Sequence, residues 1–193
     1  MRPDLPDSFF GRSSLLPIWH TAHVFFASSD NSESFNFTGC SIVNGKDFHT
    51  SFFQSFSPFD SSISLGKVCF ANNDCIESAI KTAQGFFPEW NILEIHNRID
   101  IILKFANLIE ENQERLLKIC PLEAGKTIND SINDIREAVD FCYYYTNEAK
   151  KLFNSSTKLN GPTGEINELF YEGKGVYFTI SPWNFPIAIF VGQ

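Results

Sequence analysis

Seven consecutive residues near the end of this 193-residue chain hold the groups best suited to chemistry: Ile180-Ser181-Pro182-Trp183-Asn184-Phe185-Pro186. Two prolines and an indole stiffen the loop, and it presents one side-chain amide, that of Asn184. A rigid amide donor at the mouth of a strand can hydrogen-bond an oxygen that gains negative charge during a reaction. Asn and Trp in a proline-rich loop also serve ordinary turn structure, so the residue types alone leave both readings open.

Other candidate motifs are incomplete. Gly125-Lys126-Thr127 has the ending of a phosphate-binding loop, but that motif needs glycine five positions earlier, where Cys120 stands. His20 and His23 are three apart with no completing ligands, and no metal site is expected. Asn36-Phe37-Thr38 and Asn154-Ser155-Ser156 fit a glycosylation pattern that a cytosolic chain would not use. The five cysteines (40, 69, 75, 120 and 142) form no CxxC pair, which fits reduced, structural thiols in the cytoplasm.

Elements must position that loop. Val176-Tyr177-Phe178-Thr179-Ile180 is a nearly unbroken apolar run, as a buried parallel strand requires, and Leu169-Phe170-Tyr171 reads as a strand before it. Pro186 suits a first helical turn, with Ile187 to Phe190 beginning the helix. Strand, loop and helix start together form the opening unit of a doubly wound sheet, where ligands bind beyond the strand ends.

Upstream, the spacing predicts four helices. The first begins at a cap among Asn72, Asn73 and Asp74, turns Ile76, Ala79, Ile80 and Ala83 inward, and ends at Gly85. The second runs from about Glu94 with Ile95, Ile99, Ile102, Ala106 and Ile109 on one stripe. The third covers about 112–124, with Pro121 expected to kink it or end it early. The fourth spans about 128–153, its core stripe passing through Ile128, Ile132, Ile135, Val139, Cys142, Thr146, Ala149 and Phe153. Asp134, Arg136, Glu137 and Asp140 fall on its flanks. Short strands are expected over 39–70, with Asn44-Gly45 as a hairpin turn. Residues 1–38 read as an irregular arm or linker remnant, and 39–193 as one domain.

Composition restricts the partners. A net charge of −8 disfavours nucleic acid and anionic membranes. No apolar run reaches the roughly 18 residues of a membrane span. The start shows no basic head followed by an apolar stretch, so no signal peptide is expected. Eleven of the 21 phenylalanines fall in the first 60 residues.

The Ile180–Pro186 segment resembles the Pro-Trp-Asn-Phe-Pro loop of the aldehyde dehydrogenase superfamily. Three further segments narrow the likeness: Glu123-Ala124-Gly125-Lys126-Thr127, Ile135-Arg136-Glu137-Ala138-Val139-Asp140-Phe141 with Tyr144-Tyr145, and Ile180 to Gln193. They resemble the glutamate-semialdehyde (1-pyrroline-5-carboxylate) dehydrogenase module of proline utilization A. The likeness is close over about 112–193, looser over 39–111 and faint before that.

The resemblance implies an α/β fold, the N-terminal part of an aldehyde dehydrogenase, with a helical layer and short strands leading into the first strand of a Rossmann-like sheet. It implies NAD as cofactor and a small aldehyde as substrate. Asn184 matches the oxyanion-stabilising asparagine, Ile180, Ser181, Pro182 and Trp183 match the loop lining the nicotinamide and its ribose, and Phe185 matches an aromatic packed on the substrate. Glu123 and Asp134 match helix positions bordering the substrate tunnel. The family's nucleophilic cysteine and glutamate base belong to segments beyond residue 193, which implies inactivity alone, and a separately encoded C-terminal half would have to supply them. A non-catalytic binding or scaffolding remnant, or half of a dehydrogenase of broader specificity, are the alternatives.

Overall fold

A computed structural model describes residues 37–193; the expectations for residues 1–36, including His20, His23 and most of the irregular arm, lie outside them. The chain divides into two compact units, one reaching to Pro88 and the other running from Glu89 to Gln193.

Among the described residues, the first unit holds five strands: β1 (Phe37–Gly39), β2 (Ser41–Val43), β3 (Lys46–Phe48), β4 (Phe52–Phe56) and β5 (Ser64–Cys69). β5 lies between parallel β1 and antiparallel β4, so Phe37 and Thr38, read as part of the arm, belong to a sheet. β2 and β3 form the expected hairpin. Asn44 and Gly45 both take positive φ, 51° and 71°, as a two-residue primed turn requires.

Helix α1 (Asn73–Ile92) starts where Asn72 Oδ1 accepts the Cys75 N–H at 2.9 Å. Its buried face keeps Ala79 from the expected one but not the isoleucines. Cys75 and Ala79 pack with Val43, whereas Ile76 and Ile80 are exposed. A reading by hydropathy favours the isoleucines, but the small side chains face the hairpin. Nor does α1 end at Gly85: it continues through Pro88.

The second unit is mainly helical: α2 (Ile95–Glu111), α3 (Gln113–Ala124), α4 (Ile128–Phe153) and a short α5 (Ala188–Gly192), with an antiparallel pair, β6 (Thr157–Leu159) and β7 (Asn167–Leu169). The expected start of α2 and the expected bounds of α4 agree closely with these. α3 carries through Pro121 to Ala124, so the early end is not seen. Pro121 removes only one donor, and Gly125 still donates to the Pro121 carbonyl at 3.0 Å.

The core of this unit joins Ala106 and Ile109 of α2, Ile135, Ala138, Val139 and Cys142 of α4, and Ala188 of α5. The expected α4 stripe is buried at Ile135, Val139, Cys142 and Thr146, but its first turns depart from it. Ile128 is 56% exposed, while Ser131 and Asp134 are buried at 0% and 1%.

Val176–Ile180 belongs to no strand. Tyr177, Phe178 and Ile180 expose 72%, 81% and 75% of their surface, so this segment is not the buried strand its composition suggested. A strand needs a neighbour for its amides and carbonyls, and none pairs with it among the described residues. Phe170 and Tyr171 likewise lie outside β7. The described architecture mixes helices with short strands.

Candidate functional site

The site begins at the three residues that turn α3 into α4. Gly125 closes α3 in the left-handed region at φ 65°, a conformation that costs other residues about 1–2 kcal/mol. Thr127 opens α4: its Oγ1 accepts the Asp130 N–H at 3.1 Å and donates to Asp130 Oδ2 at 2.7 Å. This is a variant of the capping box in which the acid contacts the hydroxyl rather than the backbone. Lys126 is the single residue between the two caps, so its backbone is held from both sides. Gly125-Lys126-Thr127 is thus a helix–helix junction and no phosphate loop.

From that junction the Lys126 side chain, only 10% exposed, reaches the 183–188 loop. Its Nζ donates to the Asn184 carbonyl at 2.9 Å and lies 4.7 Å from the Phe185 ring centroid. It also lies 3.4 Å from Asp134 Oδ2, an ion-pair distance without hydrogen-bond alignment. Asp134 Oδ1 accepts the Ala188 N–H at 2.9 Å, at the first turn of α5. Asp134 is therefore no solvated flank residue: the reading of a surface acid is corrected to a buried carboxylate, held there by a backbone donor and an ammonium group.

The loop's other end is tied by Gln193. Its Nε2 donates to the Ile180 carbonyl at 3.2 Å, and its Oε1 accepts from Ser181 Oγ at 2.9 Å. Between these ties the loop projects Trp183, 80% exposed, the exposed Asn184 side chain and Phe185, 40% exposed. These three residues and Lys126, Asp130 and Asp134 border a cleft of about 440 Å³. Among the described residues, no hydrogen-bond partner satisfies the Asn184 side-chain amide, which leaves its donors for a ligand oxygen.

Of the residues singled out from sequence, the cleft brings together Trp183, Asn184, Phe185 and Asp134. Ile180, Ser181 and Pro182 lie on the same loop but do not border it. Glu123 does not border it either; it is half-buried on α3, where burial pushes its carboxyl up to about 7. Lys126 was missed as a site residue. The clue was a lone cation placed between a helix-ending glycine and a helix-capping threonine.

All five cysteines are buried and free. Burial, and then the negative charge of Asp47, push the Cys40 thiol up to about 11. Burial first, then Asp134 and Glu123, do the same to Cys120. Burial also raises Cys142. Such thiols are poor nucleophiles. Among the described residues, no group of three or more His, Cys, Asp or Glu side chains is placed to hold a metal, and no helix is long and apolar enough to cross a membrane.

The nicotinamide expected from the sequence can be tested against this loop. Ile180 and Trp183 offer wide apolar faces that suit a flat heteroaromatic ring. The Ile180 carbonyl and the Ser181 hydroxyl are both engaged by Gln193, so the loop would hold such a ring by surface contact.

The chain is similar to known proteins in sequence and fold. Residues 43–193 match the aldehyde dehydrogenase family. The chain is 33% identical over 152 residues to a 1-pyrroline-5-carboxylate dehydrogenase of Staphylococcus epidermidis, and 36% identical over 152 residues to one of Halalkalibacterium halodurans. Each match covers 78% of this chain and 29% of the relative, so the chain spans under a third of the length of these relatives. A 1-pyrroline-5-carboxylate dehydrogenase variant from Thermus thermophilus superposes with a TM-score of 0.78 at 30% identity, covering 83% of this chain and 31% of that one. Proline utilization A from Bdellovibrio bacteriovorus gives 0.75 at 30% identity, covering 78% and 16%. By the family match over most of its length, this chain belongs to the aldehyde dehydrogenase family.

Proposed function

We propose that this chain supplies the oxyanion-stabilising loop of an NAD-dependent dehydrogenase that oxidises L-glutamate γ-semialdehyde to glutamate in proline catabolism. The observation that carries the reading is the free side-chain amide of Asn184 at the border of a cleft, on a loop held rigid at both ends. Attack of a thiolate on an aldehyde puts negative charge on the carbonyl oxygen, and a preorganised amide N–H stabilises that charge. Phe185 would pack on the aldehyde chain. For Glu123 and Asp134 the resemblance implies a place beside the substrate tunnel. Burial of Asp134 against Ala188 and Lys126 favours a supporting role for that carboxylate over substrate contact.

Ile180, Ser181, Pro182 and Trp183 would hold the nicotinamide through their exposed surfaces. When bound, that group accepts hydride from the substrate carbon. The buried thiols of this chain do not fit the nucleophile's role, so the reading requires a cysteine and a glutamate base from polypeptide outside these 193 residues.

The test is NADH formation from glutamate semialdehyde by the 193-residue chain alone, and after mixing with the C-terminal catalytic segment of a 1-pyrroline-5-carboxylate dehydrogenase. The expected result is none alone and turnover in the mixture, reduced about 10²–10³-fold in kcat by Asn184→Ala. NADH from the chain alone, or an Asn184→Ala mixture as fast as the unaltered one, overturns the reading.

A second reading, a non-catalytic binding chain, draws support from the exposed apolar run at Tyr177, Phe178 and Ile180, which suits a protein partner. A mixture that associates, as judged by sedimentation, yet forms no NADH favours this alternative.

A further inference from the structure

We propose that Lys126 and Asp134 act as one positioning clamp that fixes the 184–188 segment at two points and so directs the Asn184 amide into the cleft. The inference rests on the oxyanion reading for its purpose, while its geometry stands independently.

Lys126 grips the loop at its start, through the Asn184 carbonyl and the Phe185 ring. Holding the main-chain oxygen of residue 184 leaves that residue's side chain as its free polar group. Asp134 grips the end of the segment, through the Ala188 N–H. The two gripping residues neutralise each other at 3.4 Å in a setting where their side chains are 10% and 0% exposed. A buried carboxylate without its cation is costly. Removing the ammonium therefore acts on Ala188, which Lys126 does not touch, because water must reach Asp134 to solvate its charge. The simplest route is for α5 to lift away. Neutralising Asp134 removes that need, so one substitution offsets the other.

Amide hydrogen exchange and ¹⁵N–¹H spectra of the 193-residue chain test this in four variants. In Lys126→Met, exchange at Ala188 should rise at least tenfold, and the Asn184 side-chain amide signals should move to the positions of an unstructured peptide, with α2 and α4 protection unchanged. Lys126→Arg should restore both to within about twofold of the unaltered chain. Asp134→Asn keeps an acceptor for Ala188 and should leave its protection largely in place. The double variant Lys126→Met/Asp134→Asn should protect Ala188 better than Lys126→Met alone.

Unchanged Ala188 and Asn184 signals in Lys126→Met overturn the clamp. So does a double variant that exchanges faster than Lys126→Met, or an equal loss of protection across α2 and α4. Exchange, rather than turnover, is the readout. A chain that never yields NADH would sink the dehydrogenase reading and leave this outcome intact.

Discussion

The backbone N–H of Ala188 donates to Asp134 Oδ1 at 2.9 Å, joining residues 54 positions apart that are 0% and 1% exposed. A buried N–H that loses its acceptor costs about 1–3 kcal/mol. Asp134→Ala removes the acceptor and also strands the nearly buried Lys126 ammonium, so the expected loss is at least that large. Asp134→Asn keeps an acceptor and should cost less. Urea denaturation of the two variants gives the order.

Glu123 predicts a pH dependence. Its carboxyl is raised by burial from 4.5 to about 7. A group raised in the folded state favours folding while protonated. That contribution is complete below the unfolded value and is lost as pH climbs through about 7. The chain should therefore be less stable at pH 8 than at pH 5 by up to roughly 3 kcal/mol from this group. Glu123→Gln should flatten that part of the profile and raise Tm at pH 8. A profile unchanged by the substitution refutes the assignment.

At the α3–α4 junction, Thr127→Ala should cost about 1 kcal/mol through the lost cap. Gly125→Ala should cost about 1–2 kcal/mol, because φ 65° strains a residue with a Cβ. Chemical denaturation measures both.

The thiols should be silent in the folded chain. All five are buried, and Cys40 and Cys120 are pushed up to about 11. Labelling by iodoacetamide at pH 8 should be negligible without denaturant and should follow the urea unfolding curve. Rapid labelling of any one thiol under native conditions contradicts this.

Local rules read from sequence succeeded where a short segment determines its own shape. Asn44-Gly45 turns the hairpin, Asn72 caps α1, and the start of α2 and the bounds of α4 agree with the spacing of their apolar residues. They failed where distant partners decide. Ile76 and Ile80 outrank Cys75 in hydropathy, yet it is Cys75 that joins the expected Ala79 against Val43. Asp134 reads as a solvated acid until Ala188 and Lys126, which flank it on different elements, are seen together. Val176–Ile180 has strand composition, but composition cannot supply the neighbouring backbone that a strand must bond. Within the candidate site, the loop carrying Asn184 was evident from its residue types. The lysine that holds its carbonyl was not, because nothing local announces a contact 58 positions away.

Because Lys126 alone separates Gly125 from Thr127, the spacing of that junction is a measuring rule. One inserted residue lengthens the path by up to about 3.3–3.6 Å, more than the reach of a hydrogen bond. The ammonium would then miss the Asn184 carbonyl even with every side chain intact. An insertion or deletion here should therefore do more damage than most single substitutions, although the junction lies on the surface, where length changes are ordinarily tolerated.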